Sequence, residues 1–252
     1  MSLITINLSA QDCSDLFISE YVEGPGNNNA IEIYNPTNND VNLDGYTINR
    51  YGNGLALDLD KNIYQELKSD NYWQDRAMRD PWVMKHPYEN KFIMAYTARA
   101  SIHNDPYQCG VIGMAESNDL YEWKSIQPLF GGLFSQLEVP QIFKANNKWY
   151  CLFCNHPEDW SNKFKKEYDG PKKRGTHYLI ADKFEGPWIL APGPYLTTNY
   201  EIELYAGRVI EKDNKFFFMA FLHDDQNGNF IGEISNPIPI SFDKNGLMSL
   251  EL

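Results

Sequence analysis

The chain has 252 residues, of which 42% are hydrophobic and 22% are charged, and its net charge at neutral pH is -12. These values are typical of a globular protein with a substantial buried core. The excess of negative charge argues against a polyanion such as nucleic acid as the main partner. The sequence also contains no apolar stretch long enough to span a membrane.

The first thirteen residues, MSLITINLSAQDC, hold a short apolar run followed by small and polar residues. This pattern resembles the end of a secretory signal with its cleavage site, although a basic leading region and a full apolar region are missing. Two interpretations therefore stay open. A shortened signal would place the protein in the periplasm or outside the cell, whereas a plain first β-strand would leave it in the cytoplasm.

Residues 14–54 alternate short β-branched and aromatic runs with turns rich in glycine and asparagine. Such alternation predicts antiparallel strands joined by tight turns. The pattern LFISEYVEG…NNNAIEIYNPT…VNLDGYTI resembles the lamin-tail domain, an immunoglobulin-like sandwich. The resemblance implies a short β-sandwich-like segment, because it covers less than half of a sandwich of about 100 residues. We predict a lamin-tail-like segment over 1–54 and a connector over 55–78, with a short helix at 62–68.

From residue 79 to residue 252 the sequence repeats itself three times. Each repeat has a strand, a turn that ends in Asn-Lys, an apolar strand and a strand with small residues; the turn lysines are Lys91, Lys148 and Lys215. Four-stranded antiparallel units in tandem are the blades of a β-propeller. The sequence therefore predicts an all-β protein with a partial propeller of about three recognisable blades. An open ring would leave edge strands exposed, which favours an oligomer or a covering segment.

Each repeat has one candidate functional residue near the start of its first strand: an aspartate in the first, a glutamate in the second and a tyrosine in the third. Asp80, Glu138 and Tyr205 precede the three turn lysines by 11, 10 and 10 residues. If the longer first turn absorbs one residue, these side chains are equivalent and point at one axial pocket. Paired carboxyl groups, one protonated and one ionised, are what glycoside hydrolysis requires. The alternative is structural, with Asp80 paired to Arg79 at the strand start and Glu138 as a rim charge.

The stretches Arg79-Asp80-Pro81 and Leu137-Glu138-Val139-Pro140 resemble two motifs of the five-bladed propeller glycosidases. This group includes invertases, levanases and inulinases and, more distantly, arabinanases and levansucrases. The resemblance covers about residues 71–252. It implies a retaining hydrolase acting on fructose- or arabinose-type linkages without a metal or another cofactor. Glu138 would be the general acid/base and Asp80 would stabilise the transition state. The predicted sugar-binding residues are Arg79, Tyr205 and Arg208.

The sequence departs from that family in two places. Val139 stands where the family has a cysteine, and the family's nucleophile motif, of the Asn-Asp-Pro-Asn-Gly type, does not occur in this sequence. Asp58, Asp60 and Asp70 precede the Arg-Asp-Pro stretch but lack the motif's context. Two functions therefore stay open. The presence of Asp80 and Glu138 favours a working glycosidase, whereas the absent motif favours an inactive carbohydrate-binding or adhesion protein derived from one.

The remaining polar motifs predict structure rather than chemistry. Cys151 and Cys154 form a CxxC within a predicted strand, where residues three apart point to opposite faces, so we expect buried thiols. The histidines show no metal-ligand spacing, and the HDDQNGN stretch lacks the ligands of a calcium loop. We interpret the basic cluster over 162–175 as a solvated loop.

Overall fold

The computed structural model describes residues 3–4, 17–23, 29–35, 50–51, 57, 60–65, 78–100, 103–225 and 227–251. The chain divides into two compact units, residues 1–55 and residues 56–252. In the first unit, the described strands are β1 (Leu3–Ile4), β2 (Phe17–Glu23), β3 (Asn29–Tyr34) and β4 (Arg50–Tyr51). β1 pairs with β4 and β2 pairs with β3, both in antiparallel fashion. The boundaries proposed from the sequence at 54 and 78 stay a prediction.

The second unit contains three antiparallel sheets that follow one another along the chain. Blade 1 consists of β5 (Arg79–Lys85), β6 (Phe92–Arg99), β7 (Gly110–Ser117) and β8 (Lys124–Gly131). Blade 2 consists of β9 (Glu138–Ala145), β10 (Lys148–Asn155), β11 (Gly175–Ala181) and β12 (Ile189–Leu190). Blade 3 consists of β13 (Leu204–Lys212), β14 (Lys215–Asp224), β15 (Phe230–Ile234), β16 (Ile238–Phe242) and β17 (Met248–Leu250). The predicted all-β propeller architecture is confirmed, with β14 of blade 3 pairing with both β15 and β16.

The repeated turns explain why the three repeats were visible in the sequence. Asn146-Asn147 and Asp213-Asn214 each join two strands through a two-residue loop, with φ angles between 47° and 62°. Positive φ at both central residues is the type I′ hairpin geometry, which asparagine and aspartate tolerate better than other side chains. The corresponding loop of blade 1, residues 86–91, is longer.

The second strand of blades 1 and 2 has an apolar run, FIMAY in β6 and WYCLFC in β10, where both of its faces are covered. In β6, Ile93 and Ala95 belong to a buried cluster with residues of blade 2, including Trp149 and Phe153 of β10. Burying such side chains is the main favourable contribution to folding. Blades 1 and 2 therefore pack face to face through the central strands of the two sheets.

The opposite face of β10 packs in the same way against blade 3. Tyr150 and Leu152 share a buried cluster with Phe218 and Ala220 of β14. Since both faces of β10 are covered, its side chains from Trp149 to Asn155 are buried. The thiols of Cys151 and Cys154 have no solvent exposure, and burial raises their pKa values to about 12 and about 11. The prediction of buried thiols is confirmed.

Two side chains at equivalent register positions, Trp82 and Gln141, form hydrogen bonds that join blade 1 to blade 2 and blade 2 to blade 3. Trp82 in β5 donates through Nε1 to the backbone oxygen of Ile142 at 3.1 Å. Gln141 in β9 donates through Nε2 to the backbone oxygen of Val209 at 2.9 Å and accepts from the Val209 amide at 2.7 Å. Both residues stand opposite the fourth residue after the turn lysine, so the link recurs with the repeat.

Replacing Gln141 with leucine should lower the free energy of unfolding by about 2–4 kcal/mol, because two buried backbone groups of Val209 lose their partner. The measurement is urea unfolding, with an unchanged m-value showing that only stability changed. The exposed Gln127 in β8 offers a matched control, and its leucine variant should stay within about 0.5 kcal/mol of wild type. Equal effects of the two substitutions would contradict the proposed link.

Two local predictions were wrong. Residues 162–167 of the basic cluster form the helix α1 (Asn162–Glu167), capped by Ser161 and anchored by the buried Phe164. In the connector, the described residues form a turn and an isolated bridge from Tyr64 to Ala100 instead of a helix. The hydroxyl of Tyr64 accepts from the amide of Met114 and donates to the carbonyl oxygen of Ile126, so this stretch packs on blade 1. No helix in the described ranges is long and apolar enough to cross a membrane.

Candidate functional site

The first strand of every blade has a bulge close to its start. The bulges lie between Arg79 and Trp82, between Glu138 and Gln141, and between Tyr205 and Arg208. Just after each bulge begins, Asp80, Val139 and Ala206 have φ angles of 58°, 52° and 52°. Residues other than glycine rarely adopt this conformation, which costs on the order of 1–3 kcal/mol and is concentrated at functional sites. The bulges therefore mark the inner ends of the strands as the candidate site.

The register corrects the equivalence expected from the sequence. Arg79, Glu138 and Tyr205 each pair with the sixth residue after the turn lysine, so these three positions are equivalent. Asp80 is equivalent to Val139 and not to Glu138, because the first turn is longer by two residues instead of one. The prediction that Asp80 and Glu138 occupy equivalent positions was wrong. Their carboxylates nevertheless belong to one site, since both contact the guanidinium of Arg79.

Glu138 is held through both of its carboxylate oxygens. Oε1 accepts a hydrogen bond from Arg79 Nη2 at 2.6 Å, and Oε2 accepts one from the hydroxyl of Tyr205. Burial, reinforced by neighbouring negative charge, raises the pKa of Tyr205, so its hydroxyl stays protonated and available as a donor. The side chain of Glu138 is still 20% exposed, so the oriented carboxylate remains reachable from solvent.

Asp80 is fixed through a single oxygen. Its Oδ2 accepts from the Thr97 hydroxyl at 2.8 Å and from the Val139 amide at 3.3 Å, and it lies 3.5 Å from Arg79 Nε. Arg79 therefore interacts with both carboxylates. A positive charge between two carboxylates offsets their mutual repulsion, which allows Asp80 and Glu138 to share one site.

The predicted sugar contact Arg208 binds protein groups in this structure. Its Nη1 donates to the carbonyl oxygen of Val139 at 2.6 Å, and the guanidinium carbon lies 5.8 Å from the centroid of the Trp82 ring. Burial lowers the pKa of Arg208. Arg208 thus supports the strained backbone next to Glu138, and a direct contact with sugar stays a prediction.

A cavity of about 310 Å³ opens beside Glu138. Its lining residues are Gln136, Glu138, His156, Glu158, Asp159 and Arg174. Of the five site residues predicted from the sequence, Glu138 lines this cavity. The other four, Arg79, Asp80, Tyr205 and Arg208, lie in the adjoining hydrogen-bonded network. Asp159 is buried, which raises the pKa of its carboxyl, and it accepts from the Ser135 hydroxyl at 2.7 Å. The cavity is therefore lined by three carboxyl groups together with the guanidinium of Arg174.

Sequence reasoning missed the loop residues of this cavity. His156 and Asp159 belong to the turn that follows β10, and Arg174 immediately precedes β11. The ring of His156 lies edge-on to Tyr205, with the ring centroids 5.1 Å apart. The available signal was positional, because both segments flank strands of the blade that carries Glu138.

A second group of titratable side chains lies close to Arg174. Glu203, His223 and Asp224 are near enough to one another to hold a metal ion. However, the guanidinium of Arg174 approaches Glu203 Oε2 to 3.0 Å and Asp224 Oδ2 to 3.6 Å. The carboxylates of this group therefore already have a cation as a partner.

Of the three aspartates that precede the Arg-Asp-Pro stretch, Asp60 is the one that the structure describes. The carboxylate of Asp60 accepts hydrogen bonds from both nitrogens of Asn62 at 3.0 Å, which is a turn interaction. Asp58 and Asp70 lie outside the described residues.

The blades pack face to face, and the guanidinium of Arg79 at their inner ends contacts the carboxylates of both Asp80 and Glu138. Solved structures similar to the chain include inulosucrase from Halalkalicoccus jeotgali bound to kestose, with 17% identity and a TM-score of 0.68, covering 92% of this chain and 59% of that one. Levansucrase from Gluconacetobacter diazotrophicus has 14% identity and a TM-score of 0.60, with 77% and 48% covered. Full-length beta-fructofuranosidase from Microbacterium saccharophilum K-1 has 14% identity and a TM-score of 0.60, with 77% and 46% covered. The chain thus spans about half the length of these structures, and at such identities the likeness shows the fold.

The family model of the lamin tail domain matches residues 9–105. The resemblance predicted over residues 14–54 is therefore confirmed, and the match extends into blade 1. Because β5 and β6 form one sheet with β7 and β8, hydrogen bonding assigns residues 79–99 to the propeller. No curated protein is significantly similar to the chain in sequence.

Proposed function

We propose that the chain cleaves fructose- or arabinose-type glycosidic linkages, with Glu138 as the acid/base that exchanges a proton with the glycosidic oxygen. The observation that carries the proposal is the position of Glu138. It lines the open cavity, and hydrogen bonds from Arg79 and Tyr205 orient its carboxylate. The fold of the inulosucrase crystallised with kestose supports a fructosyl sugar as the first choice.

In this mechanism the other carboxylate has an electrostatic role. Asp80 is anchored through Oδ2, so its second oxygen can serve sugar hydroxyls and the positive charge that develops at the anomeric carbon. Arg79 contacts both carboxylates and so fixes the position of one relative to the other. A retaining double displacement also needs a third carboxylate as nucleophile, and trapping of a covalent glycosyl-enzyme intermediate would identify it.

The second candidate function is sugar binding without turnover. It is favoured by the absence of the Asn-Asp-Pro-Asn-Gly-type motif from the sequence. In that case Asp80, Glu138 and the cavity would hold a sugar as a lectin does, and the protein would act in adhesion.

The test measures hydrolysis and binding on the same preparation of the full chain. Sucrose, inulin, levan and an aryl arabinofuranoside are assayed for released sugar, and binding of short fructo- and arabino-oligosaccharides is measured by calorimetry. Hydrolysis of a fructoside or an arabinoside supports the first function. Binding without hydrolysis supports the second, and the absence of both overturns the two together.

A further inference from the structure

The cavity beside Glu138 is separate from the groups that hold Asp80. Among the described residues, His156 and Arg174 line it together with Glu138, whereas Asp80 and Arg79 do not. In the proposed function, Asp80 serves the sugar whose anomeric carbon reacts, and Glu138 exchanges a proton with the glycosidic oxygen. The leaving group lies beyond that oxygen, so this cavity is the place for the part of the substrate that departs.

Arg174 lines the cavity with one edge of its guanidinium group fixed by blade 3. Its Nε lies 3.0 Å from Glu203 Oε2. Its Nη1 lies 3.1 Å from His223 Nδ1 and 3.6 Å from Asp224 Oδ2. None of the described residues accepts a hydrogen bond from Nη2, and the side chain is 29% exposed. The contacts with blade 3 therefore set the orientation of the guanidinium, and Nη2 is the donor that remains for a ligand in the cavity.

The charges around Arg174 favour a neutral ligand over an anionic one. Glu203 and Asp224 offset the positive charge of Arg174, and three carboxyl groups line the cavity. An anionic ligand would therefore meet more negative than positive charge. A neutral sugar carries hydroxyls that both donate and accept hydrogen bonds. Such hydroxyls match a lining that offers carboxyl acceptors and a guanidinium donor.

We propose that Arg174 determines the specificity for the leaving group, by donating from Nη2 to the hydroxyls of a neutral sugar unit in this cavity. The inference rests on the proposed function, because it assigns the leaving-group side of the same site. The volume of about 310 Å³ is at the lower end of the range of about 300–1,000 Å³ for small-ligand pockets, which suits a single sugar unit. A leaving group without hydroxyls gains nothing from Arg174.

The test compares two substrates that share the cleaved sugar and differ in the leaving group. Sucrose is paired with an aryl fructofuranoside, and arabinobiose with an aryl arabinofuranoside. Arg174→Gln should lower kcat/KM for the sugar-linked substrate about 10- to 100-fold, the loss expected when a hydrogen bond to a charged group is removed. For the aryl glycoside, kcat/KM should stay within about threefold of wild type, because the aryl group offers no hydroxyl to Arg174.

A second substitution guards against a loss of structure. Arg174→Lys keeps a positive charge beside Glu203 and Asp224, but an ammonium group that pairs with them lacks the planar fork that extends to the sugar. It should show the same difference between the two substrates. Lys172→Gln is the matched control, because it removes a positive charge from an exposed position of the same loop. Both of its kcat/KM values should stay within about twofold of wild type.

Equal losses on the two substrates in both Arg174 variants overturn the proposal, because Arg174 would then act through the structure of the site. An unchanged kcat/KM for the sugar-linked substrate overturns it as well. Circular dichroism and thermal melting establish that the variants are folded.

A failure of the proposed function gives a different result, in which wild type hydrolyses neither substrate of either pair. Calorimetry of the uncleaved oligosaccharide then tests Arg174 by itself. Binding that Arg174→Gln weakens at least about tenfold and Lys172→Gln leaves unchanged supports Arg174 as a sugar contact. Equal affinities of wild type and Arg174→Gln, or no binding by wild type, overturn the assignment.

Discussion

Glu138→Gln should lower kcat for a fructoside by about 100- to 10,000-fold, the range for loss of a general acid or base. Glutamine preserves the shape of the side chain, and its oxygen can still accept a hydrogen bond from Arg79. In the wild-type structure Arg79 Nη2 lies 2.6 Å from Glu138 Oε1. What disappears is the capacity to give and take a proton. The measurement is steady-state hydrolysis of the best substrate of the panel, with KM expected to change much less than kcat.

The control for this substitution is Glu211→Gln, which removes the same charge from an exposed position at the far end of β13. Its kcat should stay within a factor of about two of wild type. An aryl glycoside with an acidic leaving group needs little protonation, so Glu138→Gln should slow its cleavage less. If the variant keeps the wild-type rate on unactivated sugars, the proton comes from another group and the assignment of Glu138 is wrong.

Acidification from pH 6.5 to pH 4 should remove about 3 kcal/mol of the free energy of unfolding through His177 alone. His177 is fully buried, with Nε2 3.0 Å from the carbonyl oxygen of Ala191 and its ring stacked on Tyr195. Burial lowers its pKa from 6.5 to about 4. Between these values the unfolded chain binds more protons than the folded chain, so the free energy of unfolding falls as the pH decreases. The full contribution of the neutral His177 to stability is present above pH 6.5.

The check is urea unfolding at several pH values between 7 and 4 for wild type and two variants. His177→Gln removes the titrating group, so its stability should depend less steeply on pH than that of wild type, even if it is lower at pH 7. His103→Gln changes an exposed histidine and should keep the wild-type slope. Asp119 and Asp225 have lowered pKa values, so the stability that they contribute is lost mainly at the acid end of this range and below it. Wild type and both variants share these and the other carboxyl titrations, so the difference in slope reports His177. Identical slopes for wild type and His177→Gln would contradict the assignment.

The blades could be predicted because their outer turns carry a chemical signature. Residues that tolerate positive φ stand before each turn lysine, and the following strand is apolar on both faces. The geometry of the site was less accessible. Positive φ angles are usually indicated in a sequence by glycine, but here Asp80, Val139 and Ala206 adopt them. The bulges therefore could not be predicted from the residue types.

The cavity residues escaped prediction for a different reason. His156, Asp159 and Arg174 belong to connections between strands, where hydrophobic periodicity gives no information. The helix α1 was also missed, because a six-residue helix depends on tertiary contacts and not on intrinsic propensity. Here Phe164 provides that contact by packing against the ring of Trp160.

The unequal outer turns separate the part of the chain that tolerates change from the part that does not. Residues 86–91 lengthen the first turn relative to its counterparts, yet Arg79 keeps the same register as Glu138 and Tyr205 at the other end of the strand. The extra length of the turn at residues 86–91 therefore leaves the inner geometry of blade 1 the same as that of the other two blades. The outer tips are thus suitable attachment points for tags, fluorescent labels or grafted binding loops, and also places where related sequences can diverge in length while the chemistry at the axis is maintained.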